Sequence, residues 1–298
     1  QVTADGTNCY NQGDLDVLVD IATASGLSNE YVDVLEICGY SVNDDPPLTW
    51  DENGRLIELQ LSDYPAGNCP VTNIPESISN LSNLEKIRLS YIDIQELPES
   101  ITDLTSLTYF SLWEHDNLTG SIPDNIDNLS NLNYLSIQGT NMSGSIPTSV
   151  GNFTNLTQHF RLHNNNFSGS IPAEIGNLIG LQGDIRLEGN NFTGEIPSEL
   201  GNLINLGYLN LTSNQLSGEI PASLCDLTLN FESNLLLSGN YLMPGSSGYP
   251  DCLADYVGTQ TCPDGEDFDC AGICDDLIVD ECGVCGGDTS SCTGCTDD

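Results

Sequence analysis

Short runs in which every second or third position is apolar recur along the middle of the chain, as in Leu206-Gly207-Tyr208-Leu209-Asn210-Leu211. Alternation of this kind predicts a short strand with one face turned inward. A polar stretch follows each run. An Ile-Pro or Leu-Pro step comes next, at Pro75, Pro98, Pro123, Pro147, Pro172, Pro197 and Pro221, spaced 23 to 25 residues apart. Seven copies of one period predict a solenoid, because a unit this short cannot bury its apolar face alone and must stack on its neighbours. Proline ends regular pairing and forces an extended turn at the same place in each copy.

Superimposed, the copies read Leu-x-x-Leu-x-Leu, a few polar residues, Asn, a small loop, Gly-x-Ile-Pro, then an apolar stretch ending in Asn-Leu. The clearest span Leu132 to Asn155, Leu181 to Asn205 and Leu206 to Leu227. Asn165, Asn190 and Asn214 stand where a buried amide would bond neighbouring backbones. The pattern resembles the plant-type extracellular leucine-rich repeat, and Asn214-Gln215-Leu216-Ser217-Gly218-Glu219-Ile220-Pro221 matches it nearly residue for residue. The resemblance implies an α/β repeat solenoid, curved, with a parallel sheet on its concave side, and a role in binding rather than catalysis. The expected organisation is an N-terminal cap (1–55), leucine-rich repeats (56–226), a degenerate repeat with a C-terminal cap (227–258) and an acidic cysteine-rich tail (259–298). The copies beginning at Leu156 and Leu181 carry one extra residue before the second apolar position, which predicts local bulges.

Ahead of the repeats, Asp14 is placed to cap a helix that carries Leu15, Leu18, Ile21 and Ala22 on one face and ends at Gly26. Twelve cysteines predict disulfides in an oxidising compartment. Cys9 and Cys38 form the natural pair near the start, with Cys69 competing. The resemblance implies that Cys225 and Cys252 close the C-terminal cap. In the tail, the segments around Cys270, Cys274, Cys282 and Cys285 resemble the short Cys-Gly-Gly modules of secreted algal, oomycete and marine bacterial proteins, which implies a spacer. Cys282-x-x-Cys285 and Cys292-x-x-Cys295 have the form of a zinc site, but a secreted setting favours disulfides. The acidic groups Asp264, Glu266, Asp267, Asp269, Asp275, Asp276 and Asp280 offer oxygens to calcium without matching the helix-loop-helix calcium pattern. No other cofactor or metal is expected.

Forty-four Asp and Glu oppose five Lys and Arg, a net charge of −39. Such a surface repels nucleic acid and anionic membranes and favours cations, basic partners or salty water. No apolar run approaches the roughly 20 residues of a membrane helix. A chain beginning at Gln1 without Met is expected to have lost a signal peptide, so the placement is secreted or cell-surface.

The repeat register assigns three outward columns on the strands: Glu58, Lys86, Tyr109, Tyr134, His159, Asp184, Tyr208; then Gln60, Arg88, Ser111, Ser136, Arg161, Arg186, Asn210; then Ser62, Ser90, Trp113, Gln138, His163, Glu188, Thr212. Four of the five basic residues fall in these columns, Arg55 being the exception. The candidate binding residues are therefore Lys86, Arg88, Tyr109, Trp113, Tyr134, His159, Arg161, His163, Arg186 and Tyr208. Aromatics supply contact area and Arg supplies forked hydrogen bonds, a combination suited to peptides and sugars. The competing reading is that these groups satisfy one another, with Asp184 and Glu188 neutralising Arg161 and Arg186. His159 and His163 lie about 13 Å apart on one strand, too far to share a metal, and no catalytic motif accompanies them.

Nine Asn-x-Ser/Thr sequons offer N-glycosylation at Asn80, Asn117, Asn128, Asn141, Asn152, Asn155, Asn166, Asn191 and Asn210. The expected function is non-enzymatic: extracellular adhesion or assembly, including a glycosylated filament in which an unpaired Cys69 or Cys9 of one molecule bridges to a tail cysteine of the next. The alternative is a recognition ectodomain or inhibitor that binds a peptide, glycan or foreign enzyme on its concave face.

Overall fold

The computed structural model describes residues 10–27, 48–63, 69–243, 249–258 and 260. It opens with helix α1 (Gln12–Ala24), whose Leu15, Val17, Leu18, Ile21 and Ala22 are buried. Asn11, and not Asp14, is its cap: the Asn11 side chain accepts the Asp14 N–H at 3.2 Å. Asp14 has a different task. It is 1% exposed, accepts two hydrogen bonds from the Arg55 guanidinium (2.9 and 3.0 Å) and accepts the Leu56 N–H at 2.7 Å. One carboxylate thus ties the helix to the first repeat.

The apolar runs form the strands of a long sheet: β1 (Leu48–Trp50), β2 (Leu56–Ser62), β3 (Lys86–Ser90), β4 (Tyr109–His115) and β5 (Tyr134–Thr140). A second series, β6 (Ser143–Gly144), β8 (Asn166–Ser170), β10 (Asn191–Gly194), β12 (Gln215–Glu219) and β14 (Tyr241–Met243), alternates along the chain with the remaining strands of the long sheet, β7 (His159–Arg161), β9 (Asp184–Arg186), β11 (Tyr208–Asn210) and β13 (Leu235–Leu236). The long sheet runs β1-β2-β3-β4-β5-β7-β9-β11-β13, and a five-stranded sheet runs β14-β12-β10-β8-β6. Every pairing is parallel except β1 with β2. After most prolyl steps comes one short 3-10 turn, such as Ala173–Asn177, which buries a single Ile, Leu or Val. The proline is the N-cap of these turns, where the backbone is extended at a φ that its ring already fixes.

The core is a stack of leucine and isoleucine layers between the sheets, with Phe110, Phe153, Phe160, Phe167 and Phe192 filling the middle. Asparagines bind successive layers together. Asn190 donates to the Leu162 and Leu187 carbonyls (2.8 and 3.1 Å) and accepts the Phe167 N–H at 3.0 Å. Asn214 and Asn240 repeat the arrangement, and Gln260 closes it at the end.

The expected bulges at the copies beginning Leu156 and Leu181 are absent from the ladder. β5, β7 and β9 pair without a register shift. The extra residue is taken up ahead of the strand, at Gly183. A Cβ there would stand 1.5 Å from the Gln158 carbonyl oxygen, so only glycine lets the two backbones pass.

Cys225 and Cys252 form a disulfide across 27 residues of sequence. Cys69 is buried and disulfide-bonded. It is therefore not the unpaired thiol that the filament scheme requires. Cys9, Cys38, the tail cysteines and the acidic tail residues proposed for calcium lie outside the described residues.

Candidate functional site

The side chains of the long sheet that face away from the core make one continuous surface. The ladder aligns Glu58, Lys86, Tyr109, Tyr134, His159, Asp184 and Tyr208 across seven strands. Beside them run Gln60, Arg88, Ser111, Ser136, Arg161, Arg186 and Asn210. Strand spacing brings each side chain onto the next. Arg88 lies 4.7 Å from the Tyr109 ring centre, Tyr109 stacks on Tyr134 at 4.0 Å, and Tyr134 meets His159 edge-on at 5.0 Å. Arg161 lies 5.9 Å from the Tyr134 ring and Arg186 4.9 Å from Tyr208. The result is a connected row of rings and guanidinium groups, in which the cation–ring contacts and the edge-on Tyr134–His159 contact gain from the ring quadrupole.

Carboxylates hold the stack at two points. Glu58 pairs with Lys86 at 3.6 Å and Arg88 at 3.5 Å. Asp184 is the larger hub: it takes Arg161 in a forked pair, His159 Nδ1 at 2.9 Å and Arg186 at 3.3 Å. Burial raises the Asp184 carboxyl, but the hydrogen bond and charge of Arg161, with His159, outweigh it and hold the group below the usual carboxylate value. Burial likewise opposes the Arg161 charge, and Asp184 overcomes it. The Tyr109 hydroxyl is pushed up to about 12, by burial first and by Tyr134 second.

Asp184 thus neutralises both arginines, as the sequence suggested, whereas Glu188 does not. Glu188 makes no ion pair among the described residues, its Oε2 is buried without a hydrogen-bond partner, and burial raises its carboxyl above the ordinary range. His163 Nδ1 is also buried without a partner, and burial together with Arg186 and Arg161 lowers its imidazole to about 4. The sequence carried no carboxylate motif beside His159; the neighbouring strand supplies one in Asp184. Trp113 stands at the edge of the face, 41% exposed.

Eight sequon asparagines are exposed: Asn80, Asn117, Asn128, Asn141, Asn152, Asn155, Asn166 and Asn191. The ninth is a correction. Asn210 is 6% exposed, and its Oδ1 accepts the N–H and hydroxyl of Thr212 at 3.0 and 2.8 Å, so it is not available to carry a glycan. Among the described residues no group of three or more His, Cys, Asp or Glu is placed to hold a metal ion. No described helix is long and apolar enough to cross a membrane.

Residues 157–178, 184–203 and 205–227 match the family model described as Leucine Rich Repeat. The fold is a leucine-rich-repeat solenoid. Among solved structures the solenoid is similar to PEPR1 in the PEPR1-AtPEP1 crystal structure, with 27% identity and a TM-score of 0.58 over 72% of this chain and 29% of that one. It is similar to the Arabidopsis receptor kinase HAESA, solved with the peptide hormone IDA and the co-receptor SERK1, with 25% identity and a TM-score of 0.53 over 82% and 45% of the two chains. A plant ice-binding protein shares the fold at 23% identity and a TM-score of 0.56, over 86% and 96%. The chain therefore spans less than half the length of the PEPR1 and HAESA chains it matches. No curated protein matches the chain.

Proposed function

We propose that this chain is a non-enzymatic extracellular recognition module that holds an extended polypeptide along the open face of its long sheet. The observation that carries this reading is the unbroken stack from Glu58 to Tyr208, which places rings, forked donors and carboxylates in one line. Its six strand spacings of about 4.8 Å give about 29 Å, the span of about nine extended residues. The likeness to HAESA, whose structure holds a peptide hormone, supports a peptide as the ligand class. Catalysis has less support: His159 has Asp184 beside it, but its other close polar neighbour is Arg161, at 3.2 Å, which is no nucleophile.

Adhesion is a setting in which such a module would act. The covalent filament has lost one of its two N-terminal cysteines, since Cys69 is already bonded. Cys9 remains to that scheme, and recognition is preferred because the open face carries a connected binding surface. A library of displayed peptides about nine residues long tests the reading. Selected peptides should bind the native chain and lose at least tenfold in affinity against the double variant Arg161→Glu, Arg186→Glu; because that variant strips the buried Asp184 of two partners and costs stability, Tyr208→Ala, which leaves Asp184 paired, is measured beside it and should weaken binding too. Selected peptides that bind all three proteins equally would remove this face as the site.

A further inference from the structure

From the second strand of the columns onward, the residue that follows the third outward column is left-handed; Asp63, in the first, is not. Gly139, Gly189 and Gly239 adopt that conformation freely, and Asn164 and Ser213 are small polar residues that reach it at φ 55° and 56°. Two repeats break the rule with large side chains: Tyr91 at φ 57° and Glu114 at φ 56°. Such strain persists only where the surroundings enforce it, and it concentrates at functional positions.

Both strained residues point to one place. Tyr91 lies beside Trp113, ring centres 5.4 Å apart and planes tilted by 52°, with exposures of 36% and 41%. Glu114 accepts the Trp113 indole N–H at 3.1 Å. Its carboxylate lies across Gly139, where a Cβ would stand 2.6 Å from Oε1. Asp63 occupies the same edge position one strand earlier: its N–H meets the Ser90 carbonyl as the Tyr91 N–H meets that of Trp113. The Asp63 carboxylate accepts the Cys69 N–H, which leaves Glu114 as the carboxylate of the cluster, and Glu114 makes no ion pair among the described residues. The nearby cations, Lys86 and Arg88, are engaged by Glu58.

We propose that Tyr91, Trp113 and Glu114 form a station for a cationic side chain, arginine or lysine, of the polypeptide held on the open face. This rests on the recognition reading above. The Trp113 ring, braced by Tyr91, attracts a cation through its quadrupole, and the fixed Glu114 carboxylate supplies the counter-charge. Net charge −39 draws basic partners to the chain as a whole. The station gives that attraction a geometric target. A neutral sugar would use the ring and donate hydroxyls to Glu114, but it would bring no charge to offset the carboxylate.

The chain has two tryptophans, so Trp50→Phe makes Trp113 the only reporter. In that background, the full chain is titrated at moderate salt with labelled peptides of Gly and Ser spaced by Arg, by Lys or by Glu, reading Trp113 emission and peptide anisotropy together. The Arg and Lys peptides should perturb Trp113 saturably and the Glu peptide should not. Tyr91→Gly and Glu114→Gln should each weaken binding by about fivefold. Tyr91→Gly relieves backbone strain, so it should lose binding without losing thermal stability, which a structural role for the ring would not allow. Binding seen by anisotropy with Trp113 emission unchanged would overturn the station, because the cation then sits elsewhere on the acidic surface. A response to a neutral oligosaccharide in place of the Arg peptide would overturn it too. The two readings fail separately. Arg peptides that lose binding to Tyr91→Gly but bind the Arg161→Glu, Arg186→Glu variant normally keep the station and sink the extended face. Library-selected peptides that bind Tyr91→Gly and Glu114→Gln at native strength do the reverse.

Discussion

His163 and Glu188 occupy adjacent positions of one column, and the same burial moves their ionisation in opposite senses. Burial, with Arg186 and Arg161, lowers the His163 imidazole to about 4. In the unfolded chain the ring titrates near 6.5. Between those values the unfolded state binds the proton and the folded state does not. The contribution of His163 is therefore fully present above about pH 6.5 and is lost progressively as pH falls towards 4. Glu188, raised by burial, works the other way: its neutral form is favoured in the fold, so its burden eases as pH falls. The two are separated by comparing variants. Native protein should lose stability relative to His163→Gln between pH 6.5 and 4.5 in urea titrations, and equal slopes would show that the ring is solvated. Neither shift was legible in the sequence, which gave the column but not the depth of each side chain. The layer asparagines were legible because Asn165, Asn190 and Asn214 recur in type and place. His115 was not, although it stands 25 residues before Thr140 in the same position. Its Nδ1 meets the Ile92 carbonyl at 2.7 Å and its Nε2 the Leu89 carbonyl at 3.0 Å, so it bridges layers as the amides do. A change of residue type hid the shared spacing.

At the scale of elements, α1 shows which part of an expectation chemistry alone can carry. The apolar face of the helix followed from the spacing of Leu15, Leu18 and Ile21. The cap did not, because Asn11 and Asp14 are both good capping residues and only the fold shows that Asp14 is occupied by Arg55. That ion pair is deeply placed, with side-chain exposures of 1% for Asp14 and 24% for Arg55. Removing one partner of such a pair leaves the other without compensation and costs about 3 kcal/mol. Asp14→Asn should therefore loosen the helix. In a solenoid each unit contacts only its neighbours, so the damage should stay local. Amide hydrogen exchange should quicken in α1, β1 and β2 and remain native from β7 onward. Faster exchange throughout would mean that the stack unfolds as one cooperative body. The extra residue before β7 and β9 was equally hard to place from sequence. A bulge was the natural expectation; before β9 the extra residue is Gly183, which lets the Gln158 backbone pass close by, a contact that no local pattern announces.

For the molecule as a whole, charge competes with stacking. Forty-four acidic groups share one chain with five Lys and Arg. Among the described residues only Asp14, Glu58 and Asp184 form ion pairs. The rest repel one another through water, and salt screens exposed charges beyond a Debye length of about 10 Å at 0.1 M. Ion pairs on the open face are partly buried and are screened less. Repulsion should therefore fade faster than attraction as salt is added. Raising sodium chloride from about 10 mM to 0.5 M should increase the melting temperature by about 5 °C, the effect of 1 to 2 kcal/mol on a chain of this size. A melting temperature that falls over the same range would show that the paired stack from Glu58 to Tyr208 dominates the electrostatics of folding. The same titration bears on recognition, because a cationic ligand drawn by the acidic surface weakens with salt. Stability and affinity should then move in opposite directions along one salt axis, and a ligand whose binding strengthens with salt would be held by the rings alone.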